Sequence, residues 1–271
     1  MLQSTAIIAA DCGVDIVHDP LPQLARTRRF EAAGFRAWPA SSVSYDGTWL
    51  VRLTAGHPAK RLNSVSPLDP GDIAAFEERV ARAERRFAAC GRPPIFRLSP
   101  LAGPAISSYL DKMGWRRFSE SLVMWLDLEN TAFDDALHQI PSQDIGRFVE
   151  AALQVNALDP ALRAGLSQVI GSIEPDAGLF VVERDDEPVA TAICVHDGDL
   201  AGLFEVATCR AERGNGHGRR TVVSALKWAR LRGAREAWLQ VEADNETALG
   251  LYRSIGFREI YRYHYRSPPG A

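Results

Sequence analysis

The segment Arg213-Gly214-Asn215-Gly216-His217-Gly218-Arg219-Arg220 follows an apolar run, residues 203–208, and opens an amphipathic stretch, residues 221–232. A strand, a glycine-rich turn and a helix in that order form an anion site. The glycines let backbone N–H groups approach the ligand, and the helix N-terminus adds a favourable dipole. Arg213, Arg219 and Arg220 add positive charge beside it. The loop therefore points to an α/β unit that grips a phosphate-bearing ligand, against the alternative of a loop that merely turns the chain. Its spacing excludes two nucleotide folds. A dinucleotide fingerprint needs a third glycine where the chain has Arg219 or Thr221. A nucleotide-triphosphate loop needs Gly-Lys-Ser/Thr, which is absent.

Hydrophobic periodicity extends the α/β pattern around the loop. Residues 144–155 and 161–170 read as helices, and 179–184, 189–196 and 200–208 as strands joined by Asp/Gly/Pro turns. Beyond the loop, Val222, Ala225, Leu226 and Ala229 make one helical stripe, which Gly233 ends. A strand at 237–241, a helix at 245–255 ended by Gly256, and a tyrosine-rich strand at 257–266 complete the second half.

The first half repeats this order. Helices are expected over 73–90 and 105–113, ended by Gly91 and Gly114. These glycines are 23 residues apart, as are Gly233 and Gly256. Gly114-Trp115-Arg116 matches Gly256-Phe257-Arg258, so an offset of 142 superimposes the halves. We read two tandem copies, residues 1–128 and 140–271. At this offset Arg213, Gly216 and Gly218 map to Gly71, Ala74 and Phe76, and Asp69 and Asp72 place negative charge nearby. The first copy is expected not to bind the ligand. Arg79, Arg82, Arg85 and Arg86 read as a solvated helix face.

With 271 residues the chain has room for two domains. Its formal net charge of −3 argues against nucleic-acid binding by bulk electrostatics. Cys12, Cys90, Cys194 and Cys209 are scattered without CxxC spacing, which suggests a reduced cytoplasmic protein without a structural metal. The short apolar patch at 6–10 lacks a basic flank and reads as neither signal peptide nor membrane span.

Arg213-x-x-Gly216-x-Gly218 resembles the R/Q-x-x-G-x-G/A signature of the GNAT superfamily of N-acetyltransferases. Downstream, Asn245, Ala248, Leu251, Tyr252, Gly256 and Phe257 are similar to that family's N-x-x-A-x-x-L-Y-x-x-x-G-F segment. The resemblance covers about residues 142–266. The first half resembles a degenerate copy through the offset alone. Thr208-Cys209-Arg210 departs from the Val-x-Pro that often precedes the arginine motif in the family.

The resemblance implies a tandem GNAT-like α/β fold, each copy a twisted mixed sheet with flanking helices, and acetyl-CoA or another acyl-CoA as cofactor. The pyrophosphate would lie on the N–H groups of Gly214, Asn215, Gly216, His217, Gly218 and Arg219. The pantetheine arm would pair like a strand with Ala207 and Thr208. Asn245 would bond the pantetheine or serve as a helix N-cap. The resemblance gives Tyr252 the role of acid toward the leaving thiolate, against the alternative of a core tyrosine. Glu205 sits inside an apolar strand, where burial would raise its pKa. The family's glutamate base lies on this strand, and the alternative is a solvent-facing side chain. At the offset, the first copy has Asn63 for Glu205 and Leu110 for Tyr252. Tyr261, Tyr263 and Tyr265 share one strand face; Arg262, His264 and Arg266 share the other, which is a bland sheet face or a lining of the acceptor pocket. The expected reaction is acetyl transfer to a primary amine of a small molecule or peptide. A non-catalytic acyl-CoA sensor and a structural protein with a vestigial pocket are the alternatives.

Overall fold

A computed structural model of the chain describes residues 20–133, 136 and 139–270; Cys12 and the apolar patch at 6–10 lie outside them. The first half runs α1 (Pro20–Ala37), β1 (Ser42–Asp46), β2 (Trp49–Leu53), β3 (Ser64–Pro67), α2 (Phe76–Ala88), β4 (Phe96–Leu98), α3 (Gly103–Lys112) and β5 (Arg116–Asp127). The second runs α4 (Ile145–Asn156), α5 (Arg163–Gly171), β6 (Asp176–Arg184), β7 (Glu187–Asp197), β8 (Leu200–Thr208), α6 (His217–Leu231), β9 (Glu236–Glu242), α7 (Glu246–Ile255) and β10 (Arg258–Ser267). The order strand-strand-strand-helix-strand-helix-strand thus occurs twice. Among the described residues no helix is long and apolar enough to cross a membrane.

The ten described strands form one mixed sheet in the order β1-β2-β3-β4-β10-β5-β9-β8-β7-β6. Its centre is an exchange. β5 follows β4 and α3 in the chain, yet pairs with β9 of the other half, from Ser121↔Glu242 to Asp127↔Glu236. β10 pairs with β4 through His264↔Leu98 to Arg266↔Phe96. The two exchanged strands then pair with each other along most of their length. Each half's last strand completes the other half's sheet, and the sheet runs unbroken through both.

Alternation along these strands sorts the side chains onto two faces. On one face Leu122, Met124, Leu126, Ala237, Leu239 and Val241 pack beneath α6 and α7. On the same face, farther along, Trp49, Val65, Phe96 and Leu98 pack beneath α2 and α3. On the other face Val123, Phe204, Trp238, Tyr261, Tyr263 and Tyr265 meet α1, α4 and α5. The tyrosine face expected for β10 is therefore core. His264 turns the other way, into a cleft with Leu98, Ser99, Arg117 and Arg262.

α1 belongs to the first half but lies across the second. Arg29 pairs with Glu236 and Asp199, and Arg36 bonds Asp197 at 2.8 Å. Beneath α1, Arg97 on β4 pairs with Glu31, which also accepts from the Tyr261 hydroxyl at 2.7 Å. Arg97 also lies 3.7 Å from the Tyr263 ring centroid. Both charges of the pair are buried, so they are held by mutual attraction and hydrogen bonds rather than by water.

The arginine face expected on the first-half helix is corrected at one residue. Arg79 is only 4% exposed, bonds Asp72 at 2.7 Å, and stacks 4.0 Å from the Trp49 ring centroid. Its place next to Val80 on α2 turns it inward over Trp49, where the apolar stem packs and the head meets Asp72. The Asp72 charge, expected to repel an anion, is thereby neutralised. Bonds from Arg79 and Thr48 hold its carboxyl well below the usual carboxylate range.

Candidate active site

β8 and β9 pair in parallel only from Leu200↔Glu236 to Leu203↔Leu239. Beyond that point the two strands are no longer paired with each other, so the sheet parts between them. β8 stays attached to β7 on its other side through Thr191↔Ala207 and Ala190↔Thr208. Its edge toward β9 is left without a strand partner beyond Leu203; along it Thr208 turns its N–H outward, whereas Ala207 and Cys209 turn theirs to β7.

The glycine loop lies at the end of that edge. Gly214 and Gly216 have φ of +85° and +78°, the left-handed region that costs glycine nothing. Gly216 caps α6 by backbone alone, with no side chain bonded to its first turn. The amides there remain available to a ligand, and the dipole favours an anion. Gly218 packs against β8: a Cβ there would stand 2.8 Å from Thr208 Oγ1.

The side chains of the loop hold its shape. Glu212 accepts from Asn215 Nδ2 at 3.0 Å and from Arg184 at 3.1 Å, and lies 3.2 Å from His217 Nε2. Arg213 Nε donates to the Thr208 carbonyl at 3.3 Å, and Arg220 to the Asn215 carbonyl at 3.0 Å. Arg219 reaches Ser254 on α7 at 3.3 Å. These arginines tie the loop to its neighbours as well as charging it. Asn245 is the N-cap of α7, its Oδ1 accepting from Ala248 N at 3.1 Å, a cap usually worth about 1 kcal/mol.

Glu205 sits where the open strand is bulged. Between Thr191↔Ala207 and Ile193↔Phe204, β8 spends two residues against one of β7. Glu205 takes φ of +46°, and its carbonyl accepts from Thr191 Oγ1 at 3.1 Å. Such a backbone costs about 1–3 kcal/mol in a residue other than glycine, and bulges of this kind re-aim a side chain. The side chain is half-buried, and burial pushes its carboxyl up from the ordinary value against the pull of the Arg61 charge.

Tyr252, on α7, is buried in the cluster beneath α6 and α7, with its ring 5.8 Å from that of Phe257. Burial pushes its phenol up to about 12. It stays protonated across the physiological range, the form needed by an acid. Val206, the residue after Glu205, packs at the margin of the same cluster. Phe204, the residue before it, lies on the α1 face, with Arg61 5.8 Å from its ring centroid. The bulged strand thus stands between the Tyr252 side and the α1 side.

The corresponding positions of the first half are occupied differently. Asn63 is buried and bonds His57 O at 2.7 Å, Ala59 O and Thr54 N, a purely structural role. Phe76 stacks on Trp49 and meets Tyr109 where the other loop presents amides. Leu110 is fully buried.

A family model described as "Probable histone acetyltransferase Rv0428c C-terminal" matches residues 24–266. The chain belongs to this family. It is a GNAT-type N-acetyltransferase, and the match runs through both halves. The uncharacterized N-acetyltransferase YobR of Bacillus subtilis (strain 168) is 25% identical over 251 residues, covering 88% of this chain and 97% of YobR. A GCN5-related N-acetyltransferase from Kribbella flavida shares the fold at a TM-score of 0.68, with 19% identity over 90% of this chain and 96% of that one. A tandem GNAT protein from the clavulanic acid biosynthesis pathway shares it at 0.58, with 14% identity over 87% of this chain and 86% of that one.

Sequence reasoning named none of the first-half residues that lie beside the opened strands. α1, Arg52, Arg61 and Arg97 all approach the opened strands from the other copy. No local motif marks them, because the strand exchange and the reach of α1 bring them there.

Proposed function

We propose that this acetyltransferase moves an acetyl group from acetyl-CoA to a primary amine of a small molecule or peptide. The second half, residues 140–271, holds the donor; the first half, 1–128, walls the acceptor side and holds none. The family's description names a histone, which would be an acceptor of the peptide class. The observation that carries this reading is the run of features along β8: bulged Glu205, then an unpaired edge, then an uncapped helix start. An acyl-CoA fits them. Its pyrophosphate would take the amides of residues 214–219, and its extended arm the free edge at Ala207 and Thr208.

When bound, the donor supplies an activated acyl carbon on a thiol leaving group. Glu205 accepts the proton of the incoming ammonium, directly or through water, which its raised pKa equips it to do near neutral pH. As the amine nitrogen bonds the acyl carbon, that carbon's bond to sulfur breaks. The backbone N–H of Thr208, which faces the open edge while that of Ala207 is turned to β7, would steady the carbonyl oxygen. Tyr252 would give its phenolic proton to the departing sulfur, and the phenolate would be reprotonated through solvent as the new amide nitrogen loses its second proton. Free Cys90, Cys194 and Cys209 support a reducing cytoplasmic setting. The test has two steps: thermal stabilisation by acetyl-CoA, then thiol release with a panel of amines. Stabilisation without release for any amine would favour an acyl-CoA sensor; no stabilisation would remove the donor site.

A further inference from the structure

On the α1 face, beside Phe204 and Gln240 at the open end of β8 and β9, lies a narrow hollow with room for little more than a water molecule. Arg52, Arg61, Arg97 and Glu31 line it. Glu31 neutralises Arg97. Arg52 is only 4% exposed, and its hydrogen-bond partners are neutral: the backbone carbonyls of Arg61, at 2.8 Å, and Trp38. Among the described residues no carboxylate pairs with Arg52 or with Arg61. Burial, with the charges of Arg97 and Arg61, pulls the Arg52 guanidinium down to about 9. Two positive charges, Arg52 in the wall and the half-exposed Arg61, therefore line the hollow without a carboxylate partner, and one remains so even with Glu205 ionised. A buried unpaired charge is costly and is held where it meets a partner.

We propose that the acceptor is an amino carboxylic acid, whose carboxylate is received by Arg61 and Arg52 while its amine faces Glu205. This rests on the reading of Glu205 as the base and of the α1 side as the acceptor side. A carboxylate satisfies two needs at once. It compensates the stranded arginine charge, and it offsets the repulsion that a bare ammonium would meet there. The hollow has room for one carboxylate oxygen at most, so the rest of the acceptor lies outside it, over Arg61. A lysine-rich peptide brings further positive charge to a mouth already in surplus.

The test uses the full chain with acetyl-CoA. Matched acceptors differ only at the acid: free amino acids and ω-amino acids against their amides, with a lysine-rich peptide as a third arm. Thiol release is expected to favour the acids by at least about tenfold in kcat/KM, the size of one charge-assisted bond. Arg61→Gln is expected to bring the acid-to-amide ratio near one, with Arg61→Lys in between; the half-exposed position lets both variants fold. Equal turnover of acids and amides, or preference for the peptide, overturns the proposal while leaving the acetyltransferase reading intact. If no amine is turned over, the readout is binding. N-acetylated amino acids are expected to raise Tm where their amides do not, in an Arg61-dependent way. Absence of that difference overturns the proposal by itself.

Discussion

Gly218 and Thr208 hold α6 against the open strand at a separation that leaves no place for a methyl group. A Cβ on Gly218 would come within 2.8 Å of Thr208 Oγ1. Gly218→Ala is expected to cost about 1–3 kcal/mol in denaturant unfolding, as overpacking generally does. In a Thr208→Ala background the penalty should fall to within about 0.5 kcal/mol, because the clashing oxygen is gone. An unchanged penalty would mean that backbone, not Thr208, sets the distance. Gly218→Phe, imitating Phe76, is expected to abolish stabilisation by acetyl-CoA.

Glu205→Gln should lower kcat by roughly 10²–10⁴ and raise Tm at the same time. Burial raises the Glu205 pKa in the native state, so the folded protein binds this proton more tightly than the unfolded chain. The stability that protonation supplies is complete below the unfolded value of 4.5 and lost as pH rises through the folded value. At neutral pH the ionised carboxyl therefore destabilises the fold, and glutamine removes that charge. Each kcal/mol recovered is worth about 2–4 °C in a chain of this size. In the wild type, kcat/KM should fall on acidification through the raised pKa, and this limb should vanish in the variant.

Tyr252→Phe is expected to reduce kcat on the order of 10²-fold with little change in KM for the donor. Stability should be little changed, because the hydroxyl makes no hydrogen bond among the described residues and is not sealed from solvent, so its loss strands no buried partner. Since the phenol is pushed up to about 12, no alkaline loss below roughly pH 10 should trace to this residue. Equal single-turnover rates in the Tyr252→Phe variant and the wild-type enzyme would remove Tyr252 from the chemistry.

Glu31→Gln would leave the Arg97 charge buried opposite a neutral amide. Breaking such a pair from one side costs about 3–5 kcal/mol, and a calorimetric Tm is the direct check. Glu31→Gln with Arg97→Met is expected to recover most of the loss, as replacement of both charges often does.

Much of the second half was legible because its signals are local. The strand 200–208 and the caps at Asn245 and Gly256 follow from apolar runs, an Asx side chain and a glycine in sequence. The bulge at Glu205 was not legible: an apolar run with one acid looks the same whether the strand is regular or bulged. Arg79 escapes a sequence reading because helical periodicity puts it beside exposed arginines, and only the tertiary position of Trp49 turns it inward. The exchange of β5 and β10 leaves no trace in periodicity. A strand looks alike whichever neighbour it joins, and so the arginines beneath α1 had no pattern to announce them.

The exchange sets a schedule on synthesis. β4 emerges from the ribosome long before β10, which lies some 160 residues later. At roughly 5–20 residues per second the edge of β4 waits about ten to thirty seconds for its proper neighbour. During that interval the nascent chain already contains β5, the adjacent strand with which an unexchanged hairpin-like pairing is closest to hand. Premature capture of β5 by β4 would deprive β9 of its partner and leave β10 as an open edge, the kind of edge that recruits other chains. The central seam of the sheet is therefore where this protein is most exposed to misassembly while it is being made.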